Sequence, residues 1–180
     1  MATTLTHLTT EDLNRGLDNI RQSPKDNGTL ELIVRRPETE QREILEECEI
    51  SLEDGVVGDN WRTRRSDPNP ETQITIMNAR SAALVAQEKD RWQLAGDQLF
   101  VDLDLSLDNL PAGTQLSLGS AVLEVTPEPH TGCKKFVERF GMDAMTWVNS
   151  EEGRQLNLRG INTKVVQAGI VRAGDTVKKV

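Results

Sequence analysis

A chain of 180 residues with 21 Lys or Arg against 29 Asp or Glu, a formal charge of −8 at pH 7, suits one domain that buries roughly 70% of its unfolded surface without a metal or disulfide staple. The acidic balance argues against bulk attraction to nucleic acid or an anionic membrane, so any anionic ligand needs a local basic island. Cys48 and Cys133 form neither a disulfide framework nor a CxxC zinc pattern, the first residues show no leader, and no apolar run approaches about 18 residues, so a reducing cytoplasm is the expected location and neither nucleic acid nor membrane is an expected partner.

Thr9-Thr10-Glu11-Asp12 reads as a helix start, with Leu13, Leu17 and Ile20 at helical spacing until Ser23-Pro24 stops the pattern. This predicts an N-terminal helical extension over residues 1–29 that packs on a domain spanning 30–180. After the turn Asp26-Asn27-Gly28, a strand is expected with Leu30, Leu32 and Val34 on one face and Glu31, Ile33 and Arg35 on the other. Cys48, Ile50 and Leu52 share a second strand face, which makes Cys48 a core thiol. Gly55 to Trp61 is turn chemistry, followed by Arg62, Arg64 and Arg65 in a polar loop. Ile74 to Met77 reads as a strand, Asn78 as an N-cap, and Ala82 to Gln87 as helix. Leu99, Val101, Leu103 and Leu105 alternate with Phe100, Asp102 and Asp104. Strands near Gln115–Leu118 and Ala121–Thr126 flank a hairpin connection at Gly119-Ser120. A helix from about Gly132 to Phe140 ends at Gly141, with Phe136 and Phe140 as core anchors. Strands at Thr163–Ala168 and Thr176–Val180 enclose the turn Arg172–Asp175. The expected fold class is mainly β with a few helices, a closed or nearly closed, mainly antiparallel barrel.

The chemistry concentrates in Pro129-His130-Thr131-Gly132-Cys133-Lys134-Lys135-Phe136, where a thiol meets a loop-to-helix junction between a histidine and two lysines. Cations and a helix start stabilise thiolate, the form that attacks electrophiles, carries sulfur or binds a soft metal. Packing alone is the competing role for Cys133. His130 is a candidate base for it, but no orienting Asp or Asn identifies itself. GxGxxG, Walker A, HExxH and GxSxG patterns are absent, and only two histidines occur, so nucleotide, common hydrolase and His/Cys zinc sites lack support. Arg62, Arg64, Arg65, Lys134 and Arg159 are candidates for an anion site, because guanidinium forks match phosphate and carboxylate. Gly58 and Gly160 would permit a close backbone approach. The loops at Gly58–Arg65, His130–Lys135 and Leu158–Gly160 are expected to converge on one mouth of the barrel.

These fragments, together with Glu53-Asp54-Gly55-Val56-Val57-Gly58-Asp59-Asn60-Trp61, Asp108-Asn109-Leu110-Pro111-Ala112-Gly113-Thr114, Leu118–Thr126 and Gly169–Val177, stand in the order of the MOSC domain, named for the C-terminal part of molybdenum cofactor sulfurases, which the chain resembles over about residues 30–180. The resemblance implies a β-rich barrel and gives Cys133 the position of the family's key cysteine. That residue is associated with ligating molybdenum of a pterin cofactor or with carrying sulfur as a persulfide. Both uses suit a nucleophilic, soft thiolate. The chain departs from longer relatives in lacking a pyridoxal-phosphate desulfurase region and a separate N-terminal barrel domain. It also lacks the Arg-Pro-Asn type segment that helps hold the pterin in amidoxime-reducing relatives; Leu107-Asp108-Asn109-Leu110 is the nearest counterpart, making Asn109 a candidate cofactor contact with Arg62, Arg64, Arg65, Lys134, Arg159 and Gly160. The expected function is molybdenum ligation through Cys133, supporting reduction of N-hydroxylated compounds with an electron-donor protein. Alternatively, Cys133 carries sulfur from a cysteine desulfurase for sulfuration of the molybdenum cofactor or of a metal–sulfur centre. A non-catalytic module without cofactor is a further alternative, and a Cys133–His130 hydrolase the weakest.

Overall fold

In the computed structural model, which describes residues 5–180, the first helices form where capping chemistry places them. The Thr9 hydroxyl accepts the Asp12 N–H and the Asp12 carboxylate accepts the Thr9 N–H, starting α1 (Thr10–Arg15). Gly16 separates it from α2 (Leu17–Arg21). Leu13, Leu17 and Ile20 are all buried.

There follow β1 (Gly28–Arg35), β2 (Glu43–Leu45), β3 (Glu47–Ser51), β4 (Gly55–Val56) and β5 (Ile74–Asn78). Asn78 then caps α3 (Ala79–Ala86), its side-chain oxygen accepting the N–H groups of Arg80 and Ser81. A 3-10 helix, Lys89–Ala95, returns the chain to β6 (Leu99–Asp102). The second half contains β7 (Gln115–Leu118), β8 (Ala121–Val125), α4 (Lys134–Phe140), α5 (Met142–Asn149), α6 (Glu151–Gln155), β9 (Ile161–Gln167), β10 (Gly169–Arg172) and β11 (Thr176–Lys179).

Seven strands close a barrel in the order β11-β7-β8-β9-β5-β6-β1, the last pairing back to β11 through Gly28 opposite Val177. Every pairing in it is antiparallel except β5 with β6, where Ile76 lies opposite Leu99. The barrel is therefore mixed, because α3 and the 3-10 helix form a crossover that lets the chain run in the same direction twice. β2 extends from β1, while β10, β3 and β4 form a separate three-stranded sheet.

Two apolar layers result. Inside the barrel lie aliphatic side chains such as Leu30, Ile33, Ile76, Leu99, Val101, Leu116 and Leu123. Outside it, the helices pack Leu13, Leu32, Val34, Met77, Phe100, Phe136, Phe140 and Trp147 against the outer face of β1, β5 and β6. The expected single face for Leu30, Leu32 and Val34 is corrected here. The β1–β6 register shifts between Leu30 and Leu32, so Glu31 acts as the extra residue of a bulge and reverses the alternation. Leu30 and Ile33 face the barrel interior, Leu32 and Val34 the helices. Leu52 also leaves its predicted face, lying beyond the end of β3 and 60% exposed. Among the described residues, no helix is long and apolar enough to cross a membrane.

Candidate functional site

The thiol loop is fixed from both sides by asparagines. Asn162 of β9 donates to the carbonyls of Glu128 and Pro129, each at 3.2 Å. Asn149 of α5 accepts the Gly132 N–H at 2.8 Å and donates to the Gly132 carbonyl at 3.2 Å. Cys133 follows as the N-cap residue of α4, in extended conformation and exposed. Cys48 instead is buried on β3, and desolvation pushes its thiol up to about 11. Of the two thiols, only Cys133 combines exposure with cationic neighbours.

His130 faces a buried partner that sequence spacing did not reveal. Its Nε2 lies 2.8 Å from Asp97 Oδ1, and the Arg159 guanidinium donates to Asp97 Oδ2 at 2.5 Å. The Asp97 side chain is fully buried. Burial alone would raise its pKa, but the charges of Arg159 and His130 outweigh burial and bring it down to about 2. Burial, and then Arg159, lower His130 from its ordinary value against the opposing pull of Asp97. The ring is thus neutral at neutral pH, and the ionised Asp97 claims the Nε2 proton. Asp97 is the orienting residue missing from the local pattern.

Arg159 is one of four arginines that clasp consecutive carbonyls where the 3-10 helix ends. Arg42 donates to Gln93 O at 2.7 Å and Arg139 to Leu94 O at 2.8 Å; Arg159 donates to Ala95 O at 2.8 Å and Arg36 to Gly96 O at 2.9 Å. Arg36 is held further by a two-pronged pair to buried Asp59, at 3.0 and 2.8 Å. The Arg159 guanidinium also lies 5.1 Å over the Phe136 ring, joining the apolar layer to the charged one.

These groups line a cleft of about 440 Å³ that includes Cys133 and His130. Its walls carry Arg36, Arg42, Arg64, Arg65, Lys135, Arg139 and Arg159, against the carboxylates of Glu38 and Glu40. Glu40 pairs with Lys135 at 2.8 Å and Arg139 at 3.1 Å. Arg64 and Arg65 stand in no ion pair among the described residues. Burial and neighbouring guanidiniums pull Arg42 and Arg64 below the usual arginine value, as expected for crowded cations short of an anion. Two of the lining residues carry an atom that is buried without a hydrogen-bond partner, Arg159 Nε and Asn60 Oδ1, each a cost of about 1–3 kcal/mol.

The three loops thus meet at one cleft, which gathers Arg64, Arg65, His130, Cys133 and Arg159. The other candidates lie elsewhere. Arg62 is held by Glu53 at 2.6 Å and Asp54 at 3.2 Å in the β3–β4 turn, so its charge is answered outside the cleft. Lys134 is exposed beside the cleft, and the next residue along the helix, Lys135, is the one that lines it. Asn109 binds the carbonyls of Lys25 and Asp104 and accepts Lys179 Nζ, which makes it a loop fastener. Gly160 lines a second cavity instead. At φ +127°, a Cβ there would sit 2.5 Å from Ile76 O and 3.0 Å from the His130 ring, so glycine is what lets His130 approach β5. Missed by sequence reasoning were Arg36, Arg42, Asp97 and Arg139.

A family model for the MOSC domain matches residues 49–178. The chain belongs to the MOSC domain family. Solved structures of similar fold include a hypothetical protein (TM-score 0.61, 18% identity, 87% of this chain and 69% of that one). They also include the YuaD protein of Bacillus subtilis (TM-score 0.59, 17% identity, 85% and 95%) and YiiM of Escherichia coli (TM-score 0.56, 20% identity, 84% and 69%). No curated protein matches the chain significantly by sequence. In this MOSC protein the family match runs from within β3 to within β11, while β1, which carries Arg36 just beyond its end, precedes the matched residues.

Proposed function

We propose that the cleft binds an anionic molybdenum–pterin cofactor, with Cys133 as the protein's ligand to the metal. The observation that carries this reading is the meeting of one exposed thiol with seven cationic side chains on a chain of charge −8. The residues fit such a group. Arg64, Arg65 and Arg42 suit a phosphate, the unpartnered Asn60 Oδ1 suits a ring N–H, and the thiol suits a soft metal. Among the described residues no cluster of three or more His, Cys, Asp or Glu exists, so a metal here would depend on ligands that the pterin brings. When bound, the cofactor supplies two-electron redox chemistry, for which reduction of N-hydroxylated compounds by an external electron donor is the reaction the family resemblance implies.

The protein's own residues perform simpler tasks. The clasped arginines hold positive charge around the anion, Asn149 and Asn162 fix the thiol loop, and Asp97 orients His130 through its Nε2–H while burial and Arg159 keep the ring neutral, its second nitrogen left to move a proton. A second reading, sulfur carriage, is favoured by the exposure of Cys133 and its lack of a side-chain capping bond. The Cys133 thiolate would attack the outer sulfur of a desulfurase persulfide, forming a new S–S bond as the donor's cysteine leaves as thiolate.

Cys133→Ser tests both. Molybdenum content after expression in a cofactor-competent host, and mass gain of one sulfur after incubation with a cysteine desulfurase, should each fall to background. Stability should change by about 1 kcal/mol or less, as for an exposed site. Wild-type loading in the variant would remove Cys133 from the chemistry. Absence of both metal and sulfur in the wild type would favour a non-catalytic module.

A further inference from the structure

Behind His130 lies a second cavity, of about 480 Å³, with a different character. Leu107, Leu110, Val125, Pro127 and Ile161 make its walls predominantly apolar. Leu107 remains 49% exposed, an apolar side chain left open to solvent. Charge is nearly balanced there: the lining carries Glu128 and Arg154, of opposite sign, and Arg159 is answered by Asp97. Such walls disfavour an ion, which would lose its hydration without a counter-charge.

The partition between this cavity and the cationic cleft consists of Pro129, His130, Thr131 and Arg159, which line both. It carries spare hydrogen-bonding capacity. Arg159 Nε is buried and unpartnered, while Thr131 adds an exposed hydroxyl to the same wall. Buried polar groups are nearly always satisfied, so an orphan donor in a wall shared by two cavities points to an acceptor brought from outside the chain.

We propose that this cavity is a second binding site, for a small uncharged, largely apolar molecule whose hydrogen-bond acceptor faces the His130–Thr131–Arg159 wall. The site goes beyond the cofactor reading and stands whatever fills the cationic cleft. A molecule seated there lies against the far side of the partition that holds His130, the group in this region best placed to exchange a proton with it.

Quinoline, neutral at pH 7 and carrying one ring nitrogen as acceptor, is a suitable probe, with naphthalene as its isostere lacking the acceptor. In titrations of the 15N-labelled protein, quinoline should give saturable amide shifts at Leu107, Val125, Gly160 and Ile161. Naphthalene should bind roughly five- to tenfold more weakly, the range expected for one lost hydrogen bond. Ala112→Trp fills the mouth from an exposed position and should abolish the quinoline shifts while the melting temperature holds; Leu107→Lys, which puts a charge on the apolar wall, is the second variant should the first fold poorly. Absence of saturable shifts, shifts confined to Arg64 and Arg65, or equal binding of naphthalene would each overturn the proposal. Inorganic phosphate, titrated separately, should shift the arginine cleft alone. Its failure to do so counts against the anion site and leaves the quinoline result to be judged by itself.

Discussion

The barrel interior and the helical layer outside it are both dense and apolar, yet they differ in kind. The cluster that fills the barrel and continues beneath the three-stranded sheet is aliphatic apart from Cys48, which that small sheet contributes. Phe100, Phe136, Phe140, Trp92 and Trp147 all belong to the outer layer. The outer layer also borders the buried His130–Asp97–Arg159 cluster, with Phe136 serving as the platform beneath the Arg159 guanidinium. The interior thus secures the fold, while the seam between barrel and helices holds the charged chemistry. The two thiols mark the same division: Cys48 raised to about 11 by burial, Cys133 exposed at the seam.

This division is open to attack, most severely at Asp97. Asp97→Asn leaves the buried Arg159 charge unanswered and should cost about 3–5 kcal/mol in urea unfolding. A loss below about 1 kcal/mol would show that the seam does not depend on that pair. Leu116→Ala, inside the barrel and fully buried, should cost about 2–5 kcal/mol while phosphate affinity stays unchanged; a parallel drop in affinity would mean that the two layers are not separable. Replacing both Arg64 and Arg65 by alanine should do the reverse, weakening phosphate binding with stability held within about 0.5 kcal/mol.

The smallest effect concerns pH. Because burial and Arg159 lower the folded-state pKa of His130, the unfolded chain protonates first, near the ordinary value of 6.5. Stability from this source is complete above that value and is lost as pH falls from there toward the folded pKa. Asp97, depressed to about 2, contributes stability that is lost only at lower pH, between its unfolded value of 3.8 and about 2. His130→Asn should therefore flatten the decline in melting temperature as pH falls below the ordinary histidine value of 6.5. An unchanged slope would assign that decline to other groups.

Much of the frame was legible because local signals agree with tertiary demands. The caps at Thr9 and Asn78, the alternation from Leu99 to Leu105, the Gly119-Ser120 connection and the helix ending at Gly141 appear where the residues predict them. The bulge at Glu31 was hidden, since one inserted residue reverses a strand's faces without altering its composition. The parallel β5–β6 pair depends on the path of a crossover, which periodicity does not encode. At the site, the thiol loop and Arg159 stand in recognisable motifs. Asp97 does not, because its partners are 33 and 62 positions away along the chain. Arg62 misled for a local reason: the acidic turn at Glu53-Asp54 captures it before it can reach the cleft.

The run of carbonyls from Gln93 to Gly96, each held by a different arginine, has a consequence for recognition. Long arginine side chains ordinarily surrender substantial rotamer entropy when they close around a ligand. Here four guanidiniums are ordered by the backbone they grip before any anion arrives. An incoming phosphate meets a preorganised receptor, and less of its binding free energy is diverted to arresting side-chain motion. Loosening the carbonyl run would therefore weaken the anion site even with every arginine still in place.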